Sequence, residues 1–355
     1  MGHDIDDVID GRYRLLEVVG QGGHGVVYRA EDLKLGARVA VKCLHAEIAA
    51  NPAFKARMQR EARAMGALSG TSAAQVFAFS QAPDGTLYIV MEFLTGCDLE
   101  TTLRRIEAQN QRLPLDRLKE LFGPIVDTLD AAHARGIVHR DLKPANIFVL
   151  EDAPNGPSST PRPGAAPSRP GAAPTHPGAA PSRPGTAPSC PGDSAPDGGS
   201  RPPADAPSRG SVRLLDFGLV KVMNADPLTR EGSIPGSPSY IAPEVWKGRP
   251  QEIDHRIDVY SLGAVLFRVL AGRVPFSGAT RVDILLASAR GPRPSLCAFR
   301  PDLPSEVDAW LARALAVQPE ARFQDVRSLW AALEPLLDRA AQAPGDAARA
   351  DAIPP

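Results

Sequence analysis

Several residues in the N-terminal third of this chain have the types and spacing to handle phosphate. Gly20-Gln21-Gly22-Gly23-His24-Gly25 is a G-x-G-x-x-G, whose bare backbone can approach an anion closely. A dinucleotide-binding loop of this type follows a strand and opens a helix. Here Val26-Val27-Tyr28-Arg29 continues as a strand, so the glycines are expected at the tip of a β-hairpin and the dinucleotide reading fails. On the next strand-like run, Val39-Ala40-Val41-Lys42, the lysine falls 17 residues after Gly25. A lysine at a strand end is commonly a solvated charge; beside a glycine hairpin it reads as a phosphate ligand. Its ammonium then needs an acid to hold it. The stretch 54–68 repeats Phe54, Met58, Ala62, Met65 and Leu68 at helical spacing and offers Glu61, which would otherwise be a solvated residue beside Arg57 or Arg60.

The richest segment is His139-Arg140-Asp141-Leu142-Lys143-Pro144-Ala145-Asn146. This octet strongly resembles the catalytic loop of the protein kinases, and the lysine two residues after the aspartate resembles the serine/threonine class. The resemblance implies transfer of the ATP γ-phosphate to Ser or Thr hydroxyls of a protein. That chemistry needs a carboxylate to orient the hydroxyl and take its proton, a cation for the γ-phosphate, and metal ligands. Asp141, Lys143 and Asn146 fit these roles in turn, and Asp216 of Asp216-Phe217-Gly218 fits as second metal ligand. ATP and Mg²⁺, with Mn²⁺ as a substitute, are the implied cofactors. The resemblance lines the ATP site with Val19, Gly20, Gln21, Gly22, Gly25, Val27, Ala40 and Lys42, and with a hinge at Met91-Glu92-Phe93-Leu94 whose backbone contacts adenine. Asp98 stands where an acid meets the ribose or substrate, and equally suits a helix N-cap.

Further matches follow. Gly236-Ser237-Pro238-Ser239-Tyr240-Ile241-Ala242-Pro243-Glu244 resembles the substrate-side loop ending in A-P-E, with Ser237 keeping a hydroxyl where threonine is usual. Asp258 resembles the buried helix aspartate that ties down the catalytic loop, and Arg322 the arginine that pairs with Glu244. Between Asp216 and Glu244, Thr229 and Ser233 are the expected autophosphorylation sites, because a phosphate there could pair with Arg140. One departure lies at Leu68 to Val76, which lacks the His-Pro-Asn turn common there. The resemblance covers about residues 10–335, apart from one insertion.

The elements that must position these residues follow from periodicity. Strand patterns cover 15–19, 26–28, 38–42, 75–80 and 86–93, and helical patterns dominate from 98 to 337, apart from short strands at 147–150 and 212–215. The expected fold class is α+β, bilobal and protein-kinase-like, with a sheet-rich N-lobe over 13–93, a helical C-lobe over 98–335, and tails at 1–12 and 336–355. Between the two short strands, residues 151–210 hold 16 of the 36 prolines and no Val, Ile, Leu, Met, Phe, Tyr or Trp. Repeats near Pro-Gly-Ala-Ala-Pro-Ser-Arg begin at Pro163, Pro170, Pro177 and Pro184. Such a segment cannot bury enough apolar surface to offset its chain entropy, so a disordered tether hung from a hairpin is expected. Longer loops cost little extra to close, so the insertion can separate Asn146 from Asp216 in sequence without unfolding their pairing.

Composition narrows the classes. With 40 Lys+Arg against 41 Asp+Glu, no strongly basic face for nucleic acid or anionic membrane is expected. Cys43, Cys97, Cys190 and Cys297 are too scattered for a disulfide framework or zinc site and fit a reducing cytosol. The acidic start lacks a signal-peptide pattern, and the apolar run Ile257–Leu270 is broken by Asp258 and Arg268, so a soluble cytoplasmic protein with no membrane segment is expected. The Ala/Arg/Pro/Gly-heavy composition and the N-lobe resemblance suit a bacterial source. Two rivals were weighed. A pseudokinase scaffold binding a proline-segment reader at 161–190 should have lost Lys42, Asp141, Asn146 or Asp216, and all four are present. A small-molecule phosphotransferase should lack the A-P-E segment and its arginine.

Overall fold

A computed structural model describes residues 3–22, 25–45, 65–151, 211–217, 238–247 and 253–342. Glu61 with most of the 54–68 helix, the loop hydroxyls Thr229, Ser233 and Ser237, and the insertion beyond Glu151 lie outside the described residues. The N-lobe is built on one antiparallel sheet in the order β1-β2-β3-β4-β6-β5. Its strands are β1 (Val8–Ile9), β2 (Tyr13–Gly22), β3 (Gly25–Asp32), β4 (Ala37–Leu44), β5 (Val76–Gln81) and β6 (Leu87–Glu92). Val8–Ile9 pairs with β2, so part of the 1–12 stretch joins the sheet.

Alternation sorts this sheet into two faces. Val39, Val41 and Cys43 of β4, with Tyr88 and Val90 of β6, pack into an N-lobe cluster with Tyr13, Leu15 and Tyr28. Leu44 of β4 and Leu87 and Ile89 of β6 join the larger cluster that continues into the C-lobe. Lys42 shares their parity and therefore faces the C-lobe. Burial pushes the Cys43 thiol up to about 12, as expected of an inert packing residue.

The C-lobe begins with β7 (Gly96–Asp98), α1 (Leu99–Glu107) and α2 (Leu115–His133). β8 (Ile147–Leu150) and β9 (Val212–Leu214) then pair antiparallel, and β7 completes a sheet in the order β7-β8-β9. Four helices follow: α3 (Arg256–Ala271), α4 (Arg281–Arg290), α5 (Glu306–Ala314) and α6 (Val326–Gln342). Every residue of α3 from Ile257 to Ala271 is buried, which makes it the axis of the lobe. Its lack of a polar stripe is what a helix packed on all sides requires. Among the described residues, no helix is long and apolar enough to cross a membrane.

Candidate active site

β2 and β3 form the hairpin read from the glycines. Gly22 pairs with Gly25 at the closed end of the ladder. Gly25 has φ +153°, and a Cβ there would lie 2.1 Å from the Cys43 carbonyl oxygen, so only glycine lets the hairpin press onto β4. Register then assembles one sheet face. Val27 is opposite Gly20 on one side and Lys42 on the other, Ala40 is opposite Met91, and Lys42 is opposite Ile89. Directly opposed residues share a face, so Gly20, Val27, Ala40, Lys42 and Met91, each named from sequence, line the same surface. Val19 stays half-exposed beside a bulge between Val18 and Gly20.

Lys42 reaches across from that face. Its side chain is 9% exposed, and Nζ donates to both carboxylate oxygens of Asp216 at 2.9 Å. Glu61, the acid expected for this ammonium, is outside the described residues; among those described, Asp216 is the acid set on Lys42. Asp216 directly follows Leu215, whose N–H donates to the Asn146 carbonyl at 2.8 Å. The β8–β9 ladder thus brings Asn146 and Asp216 side by side although 70 positions separate them in sequence. Asp216 has φ +49° and Arg140 φ +64°, conformations that L-residues adopt at a cost and that mark a constrained site.

Asp258 on α3 imposes the second of these. Its buried carboxylate accepts from the backbone N–H of His139 (2.7 Å) and of Arg140 (2.9 Å) and bonds His133 Nε2 (2.8 Å). Burial pushes this carboxyl up, but the His133 hydrogen bond, the nearby His133 and His139 and the His139 amide outweigh it and hold its pKa below the ordinary value. His139 is itself buried, which lowers its pKa; its ring contacts the Leu215 carbonyl and lies 4.7 Å from the buried Phe217 ring. Burial therefore fixes Phe217 under the loop that carries Asp141. Lys143 Nζ donates to Asp141 Oδ2 at 3.1 Å, and Asn146 Nδ2 to the Asp141 carbonyl at 2.7 Å. That last bond orients the amide and leaves the Asn146 Oδ1 as an acceptor beside Asp216.

Among the described residues no three His, Cys, Asp or Glu side chains converge. Among the described residues, the Asn146 amide oxygen and the Asp216 carboxylate are the hard oxygen donors that a metal would meet here. Such a sparse set suits a cation that keeps waters and takes phosphate oxygens. A separate pocket beside the loop is lined by Arg140, Asp141, Lys143, Tyr240, Ile241 and Ala242, placing the A-P-E segment next to Asp141. Ser261 Oγ on α3 donates to the Tyr240 carbonyl at 2.8 Å. Glu244 is buried and accepts two 2.7 Å bonds from the guanidinium of Arg322.

At the hinge, β6 ends at Glu92 and the chain crosses to β7. Gly96 has φ +140° and a Cβ there would meet the Val149 carbonyl oxygen at 2.1 Å, so glycine seats the hinge against β8. Asp98 caps α1: its carboxylate accepts from the Thr101 N–H at 2.9 Å and the Thr101 hydroxyl at 2.8 Å. The N-cap half of that two-way reading is the role these contacts support.

Two supports were not read from sequence. The segment lacking the His-Pro-Asn turn docks instead on the C-lobe. Ser72 N–H donates to Thr128 Oγ1 (3.0 Å), and Leu214 exchanges backbone bonds with Ser72 (2.7 Å) and Ala74 (2.9 Å). His133 beneath Asp258 was also missed; its four-residue spacing from Leu129 gave only a helix-face signal.

Comparisons with known proteins agree with this geometry. A family model described as a protein kinase domain matches residues 13–154 and 205–329. The chain is 31% identical over 325 residues to the serine/threonine-protein kinase Pkn1 of Myxococcus xanthus, covering 91% of this chain and 38% of that protein. It is 30% identical over 328 residues to PknA of Mycobacterium tuberculosis, covering 91% of this chain and 61% of that one. The chain thus spans about two fifths of the length of Pkn1 and three fifths of that of PknA. Among solved structures, the PknI kinase domain of Mycobacterium tuberculosis is similar in fold, with TM-score 0.61 at 23% identity over 95% of this chain and 100% of that one.

Proposed function

The chain belongs to the protein kinase family, and we propose that it is an ATP- and Mg²⁺-dependent kinase of protein serine and threonine hydroxyls. The observation that carries the proposal is the meeting of Lys42 and Asp216 over a loop that holds Asp141, Lys143 and Asn146 in hydrogen-bonded register. Asp141 orients the acceptor hydroxyl and takes its proton as the new phosphorus–oxygen bond forms and the bond from the γ-phosphorus to the β-phosphate oxygen breaks, releasing ADP. Lys143 balances the charge on the transferred phosphoryl group, and Lys42 holds the nucleotide phosphates. A bound Mg²⁺ would supply charge neutralisation at the phosphates, with Asn146 and Asp216 as its protein ligands. The β2–β3 hairpin shields the site from water, and the 91–94 backbone fixes the adenine.

All four residues whose loss would mark a pseudokinase are present, so the scaffold reading is not favoured. Three free cysteines among the described residues suit a reducing compartment. Thr229 or Ser233 is the proposed autophosphorylation site, and phosphate found only outside 219–239 in active protein would contradict it. The test of the main proposal is phosphoryl transfer from ATP to the protein itself and to a generic basic protein, followed by phosphoamino-acid analysis. Phosphoserine or phosphothreonine from the wild type, lost in Lys42→Met, is expected. Equal labelling by both proteins would refute the assignment of Lys42.

A further inference from the structure

We propose that Arg213 is a positioning residue for the nucleotide, acting through Glu92 on the hinge backbone. The proposal rests on the kinase reading of the cleft and adds a residue that this reading leaves without a task.

All three residues of β9 are buried, yet the middle one is charged: Arg213 is 5% exposed between Val212 and Leu214. A guanidinium in such a place is unfavourable unless an acid and hydrogen-bond acceptors meet it. Its Nε lies 3.4 Å from Oε1 of Glu92, whose side chain is 16% exposed, and its Nη1 donates to the Val212 carbonyl at 2.9 Å. The same Glu92 oxygen accepts from the Gln75 N–H at 2.8 Å, while the Glu92 N–H donates to the Gln75 carbonyl at 2.9 Å. The Glu92 side chain is therefore pinned toward β9 and the start of β5, away from the sheet edge where the chain leaves for β7.

Glu92 is the last residue of β6 and lies within the 91–94 segment on which the base is expected to pair. Its side chain and backbone turn about one Cα, so fixing the carboxylate restricts the direction of the carbonyl and of the peptides that follow. Backbone hydrogen bonds to a planar base weaken steeply as that angle drifts. Among the described residues, the acid beside Arg213 comes from the hinge. Arg213 also stands three residues before Asp216, so one side chain ties the strand leading to the metal ligand to the strand leading to the adenine edge. The effect falls on nucleotide binding in the ground state, which raises KM for ATP without lowering kcat in proportion.

The test measures KM for ATP and kcat toward a generic basic protein, together with calorimetric affinity for a nonhydrolysable ATP analogue and a thermal melt. The variants are Arg213→Met, Arg213→Lys, Glu92→Gln and the double Arg213→Met/Glu92→Gln. Arg213→Met is expected to raise KM and weaken the analogue by roughly tenfold with kcat within about twofold. Arg213→Lys should recover most of that loss. The double variant should bind nucleotide better than Arg213→Met alone, because no buried carboxylate is left unpaired. A folded Arg213→Met with wild-type KM, effects that simply multiply in the double variant, or a fall in kcat at unchanged KM would overturn the proposal. Should Arg213→Met fail to fold, Arg213→Lys and the double variant carry the same comparison. A wild type that shows no ATP saturation at all would overturn the kinase reading itself, which these variants leave separately visible.

Discussion

Replacing Asp258 with asparagine isolates what holds the catalytic loop. The carboxylate is fully buried and serves three donors: Oδ2 takes His133 and the His139 N–H, Oδ1 takes the Arg140 N–H. Asparagine keeps the shape but offers one oxygen and one amino group. If its oxygen faces His133 and His139, its Nδ2 opposes the Arg140 N–H, donor against donor. One hydrogen bond to a charged acceptor, about 1.5–3 kcal/mol, is then lost, and a buried N–H is left unmet at about 1–3 kcal/mol more. A loss of about 3–5 kcal/mol follows, as for breaking other buried charge contacts. For a domain of this size that is roughly a 10 °C fall in Tm. The Arg140 backbone at φ +64° is also released, and Asp141 moves with it. A displacement of about 1 Å at a reacting group costs about 10²-fold, so kcat should fall by that order while KM for ATP changes little. Calorimetric melting and initial rates at saturating ATP read both effects. An Asp258→Asn protein with Tm within about 2 °C of the wild type and full kcat would refute the reasoning.

Three further outcomes are expected. Arg322→Leu leaves Glu244 buried without its guanidinium and should cost about 3–5 kcal/mol by denaturant unfolding, whereas adding Glu244→Gln should return part of that stability; equal stability of the wild type and Arg322→Leu would contradict the pairing. Because the Asp258 pKa is depressed, its carboxylate contributes stability that is fully present above the ordinary value of 3.8 and is lost as the pH falls below it. His139, lowered by burial, adds acid loss from about pH 6.5 downward; Asp258→Asn should flatten only the part below about pH 4 in a series of melts. Replacing 152–210 by a short turn should preserve activity within about twofold, because Leu150 N–H already meets the Ser211 carbonyl at 2.9 Å and the ends to be joined are adjacent; a deletion protein that keeps its circular dichroism but loses phosphoryl transfer would make the insertion regulatory.

What could be read from sequence was whatever local patterning or short spacing determines. The hairpin at Gly22/Gly25 followed from glycines between apolar strand-like runs, and Lys42 from its place on the next such run, 17 residues after Gly25. The catalytic loop is contiguous, so its octet carried its own geometry. Asp258 and the Glu244–Arg322 pair are distant in sequence and were reachable only through the family resemblance, since nothing local requires a buried acid on an apolar helix. What sequence did not disclose were contacts between elements: Lys42 on Asp216, Ser72 on Thr128, His133 under Asp258, and Arg213 on Glu92. Each joins side chains whose own neighbourhoods look ordinary. Arg213 in a Val-Arg-Leu-Leu strand reads as a solvated alternation, yet the fold buries it beside Glu92 of the hinge. Asp98 shows the opposite case, where two local readings were equal and the Thr101 contacts favour the cap.

The central claim is that Asp141 accepts the proton of a protein hydroxyl during phosphoryl transfer. The most direct measurement is incorporation of labelled γ-phosphate into a protein substrate by the wild type and by Asp141→Asn, at equal fold content and nucleotide affinity. Removing a positioned general base typically costs about 10²–10⁴-fold, so Asp141→Asn should bind ATP like the wild type and transfer phosphate at least a hundredfold more slowly. Wild-type protein that transfers no phosphate to itself or to any protein with Mg²⁺ or Mn²⁺, or an Asp141→Asn variant that transfers it at the wild-type rate, would contradict the account.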